Sequence, residues 1–391
     1  MRIPATVLAL LAAACVYEPI DADPTSLANS IDDDSALVAI DPAVALEPVV
    51  APEATREPLP GDDADTADTT GPQPWRFAVL SDLHLPNPRS AVVDREVAAL
   101  IAMKVRFVVV TGDFTNGAEG VDHRRARVDA WWASVTTALA PLRDAGIPVL
   151  PIAGNHDTYL AWQRAGYERA FGDLEHWTSP LAIHPATGSG FARAPYSYSV
   201  DVDGVHLALA NIVDQTVDHD VAAWLADDLA AASTARARIV FGHVPMVSVI
   251  AHPARHFVDQ LGGILARGNA ALYVAGHEHV SWDETFAVAG QAIRQVMVGC
   301  SSGFYVYGPA KAARARAGCA PTGSPGRLSC TMPNGGRFEL VRDRSQRMIE
   351  HDPATFTVFT VTDGDVQAVP MTVDDDGHAR AFYLVDANGD L

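Results

Sequence analysis

The sequence predicts an α/β fold built on a parallel sheet with crossover helices, and two observations carry that prediction. Across residues 75 to 280, short β-branched and aromatic runs alternate with amphipathic segments of helical length, the strand, helix, strand order that a parallel sheet requires. Five of the short runs end abruptly in Gly or Ser followed by Asp, Asn or His. In α/β proteins, ligands bind outside the carboxyl ends of the strands.

Taken in order, Met1 to Leu11 carries one positive charge, Arg2, and a short apolar run ending in Ala12-Ala13-Ala14-Cys15. The run is too short to span a bilayer and reads as an export signal over 1–14. Small residues before Cys15 resemble a bacterial lipoprotein signal, in which that Cys becomes the lipid-modified N-terminus. The expected location is the bacterial cell envelope, held by lipid alone, with a secreted or periplasmic protein as the alternative. Residues 15–74 are rich in Asp, Ala and Pro without a sustained period. Such a segment buries too little apolar surface to offset its conformational entropy, so a disordered acidic tether is expected. From 16 to 74 there are 14 acidic residues against Arg56 alone, which accounts for −13 of the net charge of −20. An acidic chain lacks the basic footprint that nucleic acid requires, and no nucleic-acid partner is expected.

The folded domain is placed at 75–391. Arg76 to Leu80 is the first strand and leads into Ser81-Asp82-Leu83-His84; a helix over Val92–Met103 follows. Phe107 to Val110 leads into Thr111-Gly112-Asp113, and a helix is expected from about Asp122 to Ala145. Ile147 to Ile152 then delivers Gly154-Asn155-His156-Asp157. Residues 158 to 195 mix aromatic and polar groups without a clear period. Tyr196 to Val200 and Val205 to Ala210 alternate around Asp203-Gly204, a hairpin signal, which makes His206 a strand-face residue. A helix over about Asp220–Ala235 precedes Ile239-Val240-Phe241-Gly242-His243, and another over His256–Ala266 precedes the strand ending in Gly276-His277-Glu278-His279. Ala292 to Val298 is a further strand. Residues 311–350 turn to Arg, Gly, Pro and Ser and are expected to form an irregular insertion. In an exported protein, Cys319 and Cys330 closing this turn-rich loop suggest a disulfide, with Cys300 left over as a buried thiol, although its pairing with either stays open. A second hairpin, 355–373 around Asp363-Gly364, closes the chain and could extend a sheet.

Asp82, His84, Asp113, Asn155, His243, His277 and His279 are thus expected at strand ends, on one edge of one sheet. The five blocks resemble the calcineurin-like metallophosphoesterase family over residues 75 to 305: Asp-x-His at 82–84, Gly-Asp at 112–113, Gly-Asn-His-Asp at 154–157, Gly-His at 242–243 and Gly-His-x-His at 276–279. The resemblance implies a four-layer α-β-β-α sandwich with a dimetal site at strand C-terminal ends. It implies that Asp82, His84 and His279 bind one metal, Asn155, His243 and His277 the other, and that Asp113 bridges both. Mixed carboxylate and imidazole ligands suit Mn, Fe or Zn. Two such metals, about 3.5–4 Å apart, can hold a bridging hydroxide and stabilise an in-line displacement at phosphorus. His156 would face the substrate, protonating the leaving alcohol or holding a phosphoryl oxygen. Asp157 would either accept a hydrogen bond from His156 and set its tautomer or cap a helix.

Gly242 to His279, with His252 and His256 between, is similar to the tartrate-resistant purple acid phosphatases, where histidines of that loop lie near the substrate. Those enzymes carry a tyrosinate ligand shortly after the Gly-Asp block, where this chain has Phe114-Thr115-Asn116-Gly117, so no tyrosinate-to-iron colour is expected. The implied activity is hydrolysis of a small phosphomonoester. The alternatives are a phosphodiesterase, acting on a cyclic nucleotide or lipid head group, and a non-catalytic metal-binding surface module.

Overall fold

The computed structural model describes residues 73–86, 90–117, 127–248, 255–279, 281–288, 290–302 and 354–381, together with the backbone of three short strands between 319 and 341. In chain order the elements are β1 (Trp75–Leu80), α1 (Ser90–Met103), β2 (Val108–Val110), α2 (Val128–Asp144), β3 (Val149–Pro151), α3 (Asn155–Thr158), α4 (Ala161–Phe171), α5 (Leu174–Thr178) and β4 (Ile183–Thr187). They continue with β5 (Arg193–Val202), β6 (Val205–Leu209), α6 (His219–Ala231), β7 (Ala237–Phe241), α7 (Arg255–Arg267), β8 (Leu272–Ala275), β9 (Ser281–Val288) and β10 (Gln291–Val298). The last are β11 (Cys319–Pro321), β12 (Arg327–Thr331), β13 (Arg337–Val341), β14 (Thr355–Thr362), β15 (Asp365–Val373) and β16 (Ala379–Ala381).

Two sheets form, as the four-layer sandwich implies. One runs β16-β15-β14-β1-β2-β3, the other β11-β12-β13-β9-β10-β8-β7-β6-β5-β4. β1, β2 and β3 are parallel, as are β6, β7, β8 and β10. The alternation of side chains along each strand sorts them between layers. In β1, Ala78 and Leu80 join Val93, Val97 and Leu100 of α1 and Val135, Leu139 and Leu142 of α2. Phe77 and Val79 face the other way and meet Leu207, Ile239, Phe241 and Val274 of the second sheet. Phe77 stacks on Phe107 and Phe359 at 5.0 and 4.8 Å and meets Phe241 edge-on at 6.1 Å. On the far side, Val221, Leu225 and Leu229 of α6 and Phe257, Leu261 and Leu265 of α7 cover Ala208, Val240 and Tyr273. The result is the α-β-β-α sandwich.

The two hairpins form as expected. Asp203 and Gly204 turn with φ 47° and 77°, Asp363 and Gly364 with φ 50° and 92°, the left-handed pair a tight hairpin needs. The second hairpin extends the first sheet, because β14 pairs antiparallel with β1.

Three stretches differ from expectation. Residues 158 to 195 hold α4, α5 and β4. The helical signal of α4 is weakened by Gly166, yet a Cβ there would stand 2.1 Å from Nε1 of Trp132, so close packing of α4 on α2 demands the glycine. β9, which the sequence did not announce, pairs along its length with β10. The insertion at 311–350 contains β11, β12 and β13, and β13 pairs with β9; neighbouring strands supply the order that a Gly- and Pro-rich composition obscures. Among the described residues no helix is long and apolar enough to cross a membrane. The signal at 1–14, Cys15 and the tether up to residue 72 lie outside the described residues, as does His252.

Candidate active site

The ends of β1, β2 and β3 bring up Asp82, His84, Asp113 and Asn155; the ends of β7 and β8, in the other sheet, bring up His243, His277 and His279. The site therefore sits where two sheets abut, and the expectation of a single edge is corrected. Backbone bonds lock the abutting ends: Asp82 N donates to Gly112 O at 3.0 Å, His84 N to Asp113 O at 2.9 Å, and Gly276 N to His243 O at 3.0 Å. The sheets are joined by His277 N, which donates to Asp82 Oδ2 at 2.9 Å.

The glycines of the motifs have steric reasons. A Cβ on Gly154 would lie 2.2 Å from Oδ1 of Asp113, one on Gly276 1.8 Å from Oγ of Ser81, and one on Gly112 2.7 Å from Nδ1 of His243. Asp82, His84, Asp113, His277 and His279 all have φ between 45° and 71°. For non-glycine residues that backbone costs on the order of 1–3 kcal/mol each and persists only where the surroundings impose it.

The side chains converge in two groups that share a boundary. Nε2 of His279 lies 3.2 Å from Nε2 of His84 and 3.2 Å from Oδ1 of Asp82. Nε2 of His243 lies 2.7 Å from Oδ1 of Asn155 and 3.3 Å from Nδ1 of His277. Between them, Oδ2 of Asp113 is 3.3 Å from Nε2 of His243 and 3.9 Å from Nε2 of both His84 and His156. Asp82, His84 and His279 make one group that could hold a metal ion, Asp113, His243 and His277 another, and His84, Asp113 and His156 a third between them.

These residues fit a pair of cations. Oδ1 of Asp82 is buried and makes no hydrogen bond of good geometry, with the His279 imidazole 3.2 Å away as an ion-pair partner. Imidazole nitrogens face each other at 3.2–3.3 Å, where two lone pairs repel unless a proton or metal lies between. Without metal, protons take that place. Burial opposes the charge of His243, but the Asp113 carboxylate outweighs it and raises its pKa to about 9. His84 and His277 are driven down to about 3, mainly by burial. Burial would raise the pKa of Asp82, yet the charge on His279 overcomes it and lowers it to about 2. His243 would have to give up that proton for its Nε2 to serve as a metal ligand.

Three neighbours hold the candidate ligands from outside. Nδ1 of His243 is tied to the Thr111 carbonyl at 2.7 Å, which directs Nε2 inward. Cys300, read from sequence only as a buried thiol, hydrogen-bonds the His279 ring and lies 3.4 Å from the Asp82 carbonyl. Ser302 donates to the same carbonyl at 2.9 Å. Gly299-Cys300-Ser301-Ser302 follows β10 exactly as the other blocks follow their strands, a signal that would have flagged it.

Nδ1 of His156 lies 2.6 Å from the Asn116 carbonyl, and Nε2 turns toward Asp113. The expected bond from Asp157 to His156 is replaced. The Asp157 carboxylate accepts from the backbone N–H of Gly154, Phe114 and Thr115 at 2.9, 3.2 and 3.3 Å, so it splices the β2 and β3 loops and caps α3. His256 is exposed on the first turn of α7.

The geometry offers adjoining groups that could each hold a metal ion, an arrangement that suits a phosphoric ester hydrolase. The chain belongs to the calcineurin-like phosphoesterase family, whose profile matches residues 76–281. It is similar in fold to a dimetal phosphatase from Danio rerio, at 14% identity and TM-score 0.44, covering 76% of this chain and 98% of that one. A purple acid phosphatase, PPD1 from yellow lupin seeds, has 13% identity and TM-score 0.49 over 79% of this chain and 53% of its own. GAP50, described as the anchor in the inner membrane complex of Plasmodium, has 13% identity and TM-score 0.48 over 80% and 89%. No curated protein matches the sequence.

Proposed function

We propose that the chain hydrolyses a small phosphomonoester outside the cytoplasm with two transition metals, Mn, Fe or Zn. Asp82, His84 and His279 would hold one, Asn155, His243 and His277 the other, and Asp113 would be shared. The observation that carries this reading is the position of Asp113, with its Oδ2 facing imidazoles of both groups and His156 at once. When bound, the metals supply Lewis acidity and an activated water for in-line attack at phosphorus. His156, its Nδ1 fixed on Asn116, presents Nε2 as the proton carrier for the leaving alcohol. The preference for a monoester is supported by the acid-phosphatase-like run from Gly242 to His279.

Hydrolysis of a chromogenic phosphomonoester and its matching diester by metal-stripped protein, resupplied with Mn, Zn or Fe, tests the reading. Metal-dependent turnover of the monoester that disappears in Asp113→Ala is expected; faster diester turnover overturns the monoester assignment. The external location is supported by the Met1–Cys15 segment, and fractionation of cells carrying Cys15→Ala tests it. A Cys319–Cys330 disulfide is supported by their register as partners across β11 and β12, since directly opposed residues stand about 4.5–5.5 Å apart, within disulfide reach. Non-reducing peptide mapping that finds free thiols at both positions removes it.

A further inference from the structure

We propose that Tyr159 is a specificity residue of this site, a platform for a planar aromatic group on the phosphoester. The inference rests on the phosphomonoesterase reading above. Tyr159 continues the right-handed turn of α3 with φ −52° and ψ −43°, so it stands over Asn155 four residues back and His156 three residues back. Both contacts form. Nδ2 of Asn155 donates to the Tyr159 hydroxyl, and the Tyr159 ring centroid lies 5.6 Å from that of His156, with planes 56° apart.

The ring is nevertheless 43% exposed, and it stands out as the exposed large hydrophobic side chain among the described residues. Leaving apolar surface in water forgoes about 25 cal/mol per Å², and the fold does so here beside the reacting centre. The hydroxyl fastens the ring to the amide of a metal ligand, so the ring cannot swing away without losing that bond. It is therefore preorganised, which spares the ordering cost a mobile side chain would bear. A leaving group that takes its proton at Nε2 of His156 departs alongside this ring. An aromatic group finds a π-face there, whereas an alkyl group of similar size gains less.

The test compares kcat/KM of metal-loaded protein for phenyl phosphate and for an alkyl phosphate of matched leaving-group acidity, in wild type, Tyr159→Phe and Tyr159→Leu. Stacking on one aromatic ring is worth about tenfold in binding. The aryl-to-alkyl ratio should fall about tenfold in Tyr159→Leu, through KM, and stay within about threefold of wild type in Tyr159→Phe. An unchanged ratio in Tyr159→Leu overturns the proposal and leaves the hydrolase reading intact. Calorimetric binding of phenylphosphonate against methylphosphonate gives the same comparison without turnover. If wild type hydrolyses neither ester but prefers phenylphosphonate in a Tyr159-dependent way, the hydrolase reading fails and the platform stands. Equal binding of the two phosphonates by wild type and Tyr159→Leu overturns the platform.

Discussion

Gly154→Ala isolates the geometric demand that the site makes on its own motif. Gly154 has φ −97° and ψ −176°, a conformation alanine adopts freely, so the backbone gives no reason for glycine. The space does. The added Cβ would lie 2.2 Å from Oδ1 and 2.3 Å from the amide N of Asp113, and an ordinary contact begins near 3.4 Å. Asp113 must therefore retreat by about 1.2 Å, the difference between those distances, unless β3 moves instead. Asp113 is poorly free to retreat, because Oδ1 accepts from His156 N at 2.9 Å and its carbonyl accepts from His84 N at 2.9 Å. Overpacking of this kind costs about 1–3 kcal/mol of stability, and a misplacement of about 1 Å costs on the order of 100-fold in rate. The expected outcome is a kcat about 100-fold below wild type at saturating metal, with both metals bound more weakly by elemental analysis. The matched control is Gly146→Ala. Gly146 has φ +76° with nothing within 4 Å of the added Cβ, so that variant should lose about 1–2 kcal/mol of stability through backbone strain and keep its kcat. Gly154→Ala with two metals per chain and a kcat within about threefold of wild type would refute the reasoning, because the crowding would then have relaxed without moving a ligand.

Three further outcomes follow from the same geometry. Cys300→Ala removes the hydrogen bond to His279 and should weaken metal binding about 10- to 100-fold, as loss of an outer support does, while Cys300→Ser restores most of it; wild-type affinity in the alanine variant, measured by competition with a chelating dye, contradicts the role. Stripping metal should lower the melting temperature, since ligand at 100 times its Kd adds about 2.7 kcal/mol; a melting curve indifferent to chelator argues that no metal binds the folded state. His206 lies 2.9 Å from Asp201 and 2.8 Å from Asp228, and although burial opposes its charge, those two carboxylates outweigh it and raise its pKa. A raised histidine pKa contributes stability fully present below its unfolded value of about 6.5 and lost as pH rises through the folded value. The stability gap between wild type and His206→Gln should thus be about 1.5–3 kcal/mol at pH 5.5 and narrow above neutrality; an equal gap in urea melts at pH 5.5 and pH 9 counts against it.

The convergence of the seven candidate residues was legible because a metal site restricts both residue type and its place after a strand. The two sheets were legible only through the family resemblance, since periodicity reports that a strand has two faces without saying which neighbour each face meets. Phe77 and Ala78 read alike in sequence, yet one enters the layer between the sheets and the other the layer under α1 and α2. Of the two roles left open for Asp157, the cap is the one that forms, for a related reason. A carboxylate beside a histidine suggests a pair, but α3 turns successive residues onto different faces, and the backbone N–H groups of Phe114 and Thr115 lie where Asp157 points. β9 and the 311–350 strands escaped notice because strands of that composition are specified by their partners.

The glycines carried more than the sequence reading took from them. Gly112, Gly154 and Gly276 precede ligands, and each leaves a gap that a ligand or its neighbour from another strand fills. Five ligands meanwhile hold a left-handed backbone at a cost on the order of 1–3 kcal/mol each. The glycines let the strand ends approach, and the approach supplies the hydrogen bonds that hold the strained ligands in place, from Asp82 N to Gly112 O and from His277 N to Asp82 Oδ2. Crowding and strain are thus two sides of one device: a centre whose donor atoms are positioned by backbone contacts before any metal arrives. A variant that pushes the strand ends apart without touching a ligand should then loosen the centre as surely as one that removes a ligand.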